Sequence, residues 1–431
     1  MATASSSVVS HPVVFTTQTP YPLPSQKFML PASWRRYQLS QLVNKALSLA
    51  KPVPFDFIVR GEVLRTTIGE WCAEHGVGEE ETLELEYIES VLPPQKMSDM
   101  PHEDWVSSVT CAIPGHFLTA SYDGHVRAFD YSQNLVTQHP LHSAPITSVC
   151  VVPSPADNED ESSHLIANSS HDLTAQISRV SLSNKTTTPL ATLHLHTQPL
   201  SSIASNTAGS HLLTSSWDGL IGLWDTTIPP SDEVPEVAAG PDRKKRRKVG
   251  GDGEERKAKR KAPLSVLKSH TARVSRVVFG PDYTNRAYSC GFDSTVRVWD
   301  VENGVCAHTI NAAEKPFLDL TLSTDGTTVL AASTDRTVAV YDTRDTGAVA
   351  ATVSTLPHPA TPSCVVGGPE GHQAMTGAYD GVARLWDLRS TKAAMSSFKV
   401  WDGQKKILSI DWKKGVAAIG GEGGLEVWKV G

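Results

Sequence analysis

Residues 291–300 read GFDSTVRVWD: a tight turn around Asp293 joins two extended stretches, and Trp299 follows the aspartate by six residues. A hairpin turn favours Asp, Asn or Gly at such a place, and the flanking Val and Thr suit strands. The decapeptide recurs as SYDGHVRAFD at 121–130, SWDGLIGLWD at 216–225, STDRTVAVYD at 333–342 and AYDGVARLWD at 378–387, with a truncated copy, GEGGLEVWKV, at 421–430. Its closing aspartates at 300, 342 and 387 stand 42 and 45 residues apart, a period that fits one four-stranded unit per copy. A degenerate unit, SHDLTAQISR at 170–179, has Ser178 where the aromatic belongs. Seven units are therefore expected.

Three of the units repeat the same four polar or aromatic positions: His196, Thr214, Asp218 and Trp224; His270, Ser289, Asp293 and Trp299; His358, Thr376, Asp380 and Trp386. Here the chain resembles the WD40 propeller family, and the resemblance implies a buried His, Ser/Thr, Asp, Trp hydrogen-bond network in each of these blades. Three copies at one repeat position answer to structure rather than to a hydrolase triad, because a buried polar group left unpaired costs about 1–3 kcal/mol. The fifth unit has Ala331 and Tyr341 and the seventh Glu422, so their networks are expected to be incomplete. The last unit supplies three strands, which leaves SVLPPQKMSDMPHEDW at 90–105 to donate the fourth, from residues 92–104, and to seal the ring without a long open edge.

Composition fits a globular protein of 431 residues, 39% hydrophobic and 20% charged. Six scattered cysteines without CxxC pairs argue against a disulfide framework or a zinc site, so a reducing compartment is expected and the sequons at Asn168 and Asn184 are taken as silent. The start, MATASSSVVSHP, does not read as a secretory signal, and no run reaches the roughly 18 apolar residues of a membrane span. The net charge of −7 is uneven: residues 243–261, RKKRRKVGGDGEERKAKRK, hold eleven Lys/Arg against three acids, net +8, which leaves −15 elsewhere. A body so acidic is not built to hold nucleic acid across a broad face.

Residues 12–91 have a different pattern, with 1–11 expected to be disordered. Strands are predicted at VVFTT (13–17), KFMLPA (27–32), FDFIVRG (55–61) and TLELEYI (82–88), a helix at QLSQLVNKALSL (38–49) with one apolar face, and a short helix at TIGEWCAEHG (67–76) ended by Gly76. This order suits a small α+β, ubiquitin-like (β-grasp) domain ahead of a mainly β seven-bladed propeller spanning 92–431. Glu79, Glu80 and Glu81 form the loop into the last strand, read on their own as a solvated acidic turn.

KPVPFDFIVRGEVLRTTIGEW (51–71), LPPQ (92–95) and EDWVSSV (103–109) make the resemblance specific. Together with the blades they are similar to the YTM family of ribosome-biogenesis WD-repeat proteins, with an NLE-type ubiquitin-like domain. That resemblance implies a non-enzymatic assembly factor of the large (60S) subunit, acting in 27S to 25S/5.8S pre-rRNA processing within the PeBoW complex. The implied partners are the Bop-subunit propeller, Pescadillo through Bop, the pre-60S particle, and the AAA ATPase midasin, which grips the ubiquitin-like domain. No cofactor of its own, no membrane and no small-molecule substrate are implied. Mg²⁺ is expected on midasin's adhesion site, where a carboxylate in trans completes an octahedral shell at about 2.0–2.1 Å; the family's ligand position falls on Glu80, with Glu79 or Glu81 the choices if the register slips.

The basic run interrupts the third blade before LSVLKSH (264–270), so residues 228–262 are expected to be a disordered insertion. Arg243, Lys244, Lys245, Arg246, Arg247 and Lys248 resemble a nuclear-import signal, implying nucleus, nucleolus and nucleoplasm, and pre-rRNA phosphates compete as their target. The rival readings are a notchless-type factor, which would need eight blades, and a ubiquitin-pathway adaptor whose propeller selects clients. Trp401 reads either as an exposed anchor or as packing in place of the seventh blade's missing His.

Overall fold

The computed structural model describes residues 9–49, 51–90, 92–153, 163–235, 258–281, 285–311, 315–343 and 352–430, which fall into two compact units, one built chiefly on residues up to 93 and the other chiefly on those from 94.

The first unit contains β1 (Ser10–Thr16), β2 (Lys27–Pro31), α1 (Arg36–Leu47), β3 (Phe55–Val59), β4 (Glu62–Val63), α2 (Ile68–His75) and β5 (Leu83–Glu89). Its sheet has the order β2-β1-β5-β3-β4, with β1 and β5 parallel at the centre. Alternation on these strands sends Val13, Phe15, Phe55, Phe57, Leu85 and Tyr87 to one face, where Leu39 and Val43 of α1 cover them. Asn44 on α1 bonds both backbone groups of Val53, which fixes the helix to the start of β3. β4 was not anticipated; Arg60 and Gly61, both at positive φ, make the two-residue turn that joins it to β3. Residues 10 and 11 were expected to be disordered, but β2 reaches Pro31 and gives them partners. Ser10 pairs with Pro31 and His11 with Leu30, and His11 is buried.

Among the described residues the second unit contains seven sheets, one per repeat. In each, a turn residue takes the left-handed conformation: Gly124, Leu173, Gly219, Ser294, Arg336, Gly381 and Gly424. Glycine is required most clearly at 124, where a Cβ would stand 2.5 Å from the His142 carbonyl oxygen of the next blade. Small hydroxyls on the inner strands tie neighbouring blades together. Ser107 Oγ donates to Ile146 O at 2.6 Å, Ser275 Oγ to Phe317 O at 2.7 Å, and Ser409 Oγ accepts Val109 N–H at 3.2 Å, linking the seventh blade to the first.

The fourth strand of the seventh blade is β6 (Gln95–Met100), antiparallel to Gly424–Lys429 with Gln95 opposite Lys429 and Met100 opposite Leu425. A charge network reinforces the pairing. The Glu426 carboxylate, 1% exposed, meets Lys96 Nζ at 2.6 Å and accepts Trp428 Nε1–H at 3.0 Å and Trp401 N–H at 3.3 Å.

The third-blade insertion departs from expectation. Residues 228–235 and 258–262, inside the segment taken as disordered, have defined positions, and Lys259–Lys261 form a fifth strand parallel to Thr186–Leu193 on the outer edge of the second blade. An open edge offers unpaired backbone groups, and His194 N–H donates to Lys261 O at 3.2 Å. Burial of Lys261 is compensated by Asp225 at 2.5 Å.

Removing the Lys96 ammonium leaves a buried carboxylate short of its counter-charge. Lys96→Ala should lower unfolding free energy by about 2 kcal/mol, less than the roughly 3–5 of a fully buried pair because Lys96 is half exposed. Urea denaturation checks this, and adding Glu426→Gln should recover part of the loss.

Candidate partner-binding site

In the first unit the acidic turn is set by its neighbours. The Thr67 hydroxyl accepts Glu70 N–H at 3.1 Å and the Glu70 carboxylate accepts Thr67 N–H at 3.0 Å, a capping box that starts α2; these bonds draw the Glu70 carboxyl below its usual value. Gly76 at φ 64° ends the helix, and Val77, buried, turns the chain back towards β5. Gly78 O accepts Glu81 N–H at 3.2 Å, closing a turn with Glu79 and Glu80 at its tip. The three glutamates are exposed but not equivalent. Glu81 Oε1 lies 2.5 Å from Arg60 Nη2, whereas Glu79 and Glu80 have no hydrogen bond or ion pair among the described residues. A carboxylate on a tethered turn loses less entropy on binding than one on a flexible loop. Residues 243–248 lie outside the described residues.

In the third blade Trp224 Nε1–H donates to Thr214 Oγ1 at 3.0 Å, Thr214 contacts His196 Nε2 at 2.9 Å, and His196 Nδ1 reaches Asp218 at 3.1 Å. The fourth repeats this with Trp299, Ser289, His270 and Asp293 at 2.8, 2.7 and 2.8 Å. Burial pushes the Asp293 carboxyl up, but His270 and Thr295 outweigh it and hold the group well below the usual carboxylate range. These are order-giving chains, with every hydroxyl occupied.

The sixth blade differs from expectation. His358 Nε2 meets Thr376 Oγ1 at 2.8 Å, but Nδ1 faces Leu356 O at 2.9 Å and the Asp380 carboxylate pairs with Arg384 at 2.7 Å. Arg384, four residues beyond the aspartate on the adjoining strand, outcompetes the imidazole for it. The first blade has the same arrangement, unnoticed in the sequence because Phe129 replaces Trp: His102 contacts Thr119 and Met100 O, while Arg127 takes Asp123. The second blade also has a network, His142 with Asn168 and Asp172; Asn in place of Ser/Thr hid it. Trp401 is packing: a Cβ at Gly423 would stand 2.4 Å from its ring.

A ring of small-hydroxyl-bonded blades and a helix-backed mixed sheet bearing an acidic tip define a WD-repeat propeller protein with an NLE-type N-terminal domain. The NLE (NUC135) domain model matches residues 12–72, and the WD domain, G-beta repeat model matches residues 95–130, 187–225, 261–300, 304–342 and 351–387. The ribosome biogenesis protein YTM1 of Laccaria bicolor is 61% identical over 99% of this chain and 96% of its own length. That of Coprinopsis cinerea is 62% identical over 97% and 94%, and that of Saccharomyces cerevisiae 31% over 90% and 89%. The chain belongs to the YTM1 family of ribosome biogenesis proteins.

Burial lowers the His358 imidazole to about 4. Below the ordinary histidine value near 6.5 the unfolded chain gains a proton that the folded chain refuses until about pH 4, so stability falls as pH drops through that window. His358→Gln, which does not titrate, should therefore be relatively less destabilising at pH 4.5 than at pH 7, by about 2 kcal/mol in urea unfolding. An unchanged difference would refute the assignment.

Proposed function

We propose that this protein is a non-enzymatic assembly factor of the 60S subunit whose ubiquitin-like unit supplies Glu80 to the Mg²⁺ of midasin's adhesion site, while its propeller binds the Bop-subunit propeller and, through it, Pescadillo. Membership of the YTM1 family gives the role in ribosome biogenesis and association with pre-ribosomal particles. The observation that carries the finer reading is the hydrogen-bonded turn with Glu80 uncommitted at its tip and Glu81 tied to Arg60.

A carboxylate there is already solvated and needs little rearrangement to enter a Mg²⁺ shell, which accepts hard oxygen donors in near-ideal octahedral geometry. The ATPase then pulls on a chain whose next strand is β6, so release from the pre-60S particle draws on a rigid propeller rather than a loose tail. This step is placed in 27S to 25S/5.8S maturation, in nucleolus and nucleoplasm, with import through residues 243–248. Pre-rRNA phosphates are a second target of that basic run.

Glu80→Ala and Glu80→Gln should each abolish Mg²⁺-dependent binding of the full chain to midasin's adhesion domain, as EDTA does, whereas Glu79→Ala should retain it. Undiminished binding by Glu80→Ala removes midasin ligation by this residue, and binding to a proteasomal ubiquitin receptor instead favours an adaptor role. Deleting 243–261 would also remove Lys261 from its pair with Asp225. Replacing the six basic residues at 243–248 with Ser is therefore the cleaner variant, and a tagged protein so changed should fail to concentrate in nucleoli.

A further inference from the structure

At one mouth of the propeller channel Arg273 lies over two rings, with Cζ 3.8 Å from the centroid of Phe292 and 4.7 Å from that of Trp217. It stands one residue before the inner strand Val274–Phe279, and Phe292 is in the turn of the same blade. Phe292 N–H donates to Arg273 O at 2.9 Å, and Gly291 permits this approach, since a Cβ there would lie 2.7 Å from that oxygen. His270 and Asp293 of the blade's polar network flank the same turn.

This cation lacks its counter-charge. Among the described residues no carboxylate lies within ion-pair distance of Arg273, and its buried Nε has no hydrogen-bond partner. Burial draws the guanidinium below its ordinary value. The contrast is Lys406, across the mouth, which sits 5.5 Å from the Trp105 ring and has Glu422 at 3.3 Å. From Trp217 the aromatic surface continues to His171 at 5.4 Å and on to Tyr122 at 6.5 Å, with Trp105 a further 6.0 Å away. Trp217 and Trp105 are 38% and 39% exposed. Exposed Trp, Tyr and Arg clustered together are the residues that dominate protein–protein binding energy.

We propose that this mouth is a docking surface for a protein partner that inserts an Asp or Glu carboxylate against Arg273, with apolar side chains of the partner lying on the adjoining rings. The choice of a protein over single-stranded RNA follows from the ring faces. Stacking needs bare π-faces, yet Arg273 covers Trp217 and Phe292, and the charge outside residues 243–261 is −15. A carboxylate needs only the guanidinium edge, where a bidentate pair forms. The inference rests on the reading of the propeller as a docking scaffold and assigns the face it uses.

The test uses pre-ribosomal particles isolated through the tagged full-length chain carrying Arg273→Lys, which keeps the charge and offers an amine to a water-soluble carbodiimide. An amide between position 273 and an Asp or Glu of the Bop subunit is expected. Arg273→Ala, melting as the wild type does, should weaken that subunit's binding at least about thirty-fold. An amide to a different protein supports the docking surface while overturning the Bop assignment. Wild-type binding of the Bop subunit by Arg273→Ala, with amides forming at Lys406 but not at position 273, overturns the inference and leaves the scaffold reading standing. Ultraviolet cross-linking of Trp217 to RNA in the same particles overturns it in favour of nucleic acid.

Discussion

The propeller depends on the pairing of β6 with Gly424–Lys429. A seven-sheet ring is stable only when its last sheet is as complete as the others, because an unfilled edge exposes a row of backbone donors and acceptors. Here the filling strand comes from the other end of the chain, and the buried Glu426 favours this register through its ion pair with Lys96, which reaches it from opposite Trp428. A slip of one residue would point Lys96 away and leave that carboxylate unpaired. Everything at the channel mouth then follows: once the ring is closed, the inner-strand hydroxyls fix blade against blade, and the turns bring Trp105, Tyr122, His171 and Trp217 into one arc.

The same strand follows directly on the first unit in the chain. Only residues 90–94 separate β5 from β6, which completes the seventh blade. The basic insertion leaves the third blade after Asp225, at the end of the strand opposite the turn that carries Trp217. Its described ends are bolted to the second blade through Lys259–Lys261. The described ends of the insertion therefore lie at the end of the third blade away from the turn that carries Trp217.

Much of this was legible in the sequence, because repeated hairpins impose repeated residues. The turn aspartates, the glycine often beside them and the short helix ended by Gly76 follow from local sequence pattern, whereas the Trp pairing with a hydroxyl was implied by the resemblance to WD40 propellers. What escaped were substitutions that preserve a function with different chemistry. Asn168 meets His142 as Thr214 meets His196, Arg384 takes the aspartate that His358 was expected to hold, and Arg127 takes Asp123 in a blade where no network was read. Lys96 with Glu426 escaped because the partners are far apart in the chain and meet only when the ring closes, and Arg273 with Trp217 and Phe292 because the three come from separate loops of two neighbouring blades. The strand Lys259–Lys261 escaped because its charge is that of a solvated loop; an available sheet edge and Asp225 overrode composition.

Native-state hydrogen exchange of the amides in β6 tests the closure directly. If the strand is an integral part of the ring, its protected amides should exchange with the same opening free energy and denaturant dependence as those of the inner strand Val106–Thr110, in one cooperative event. Exchange of β6 through a separate, low-energy opening while Val106–Thr110 stays protected would contradict the account.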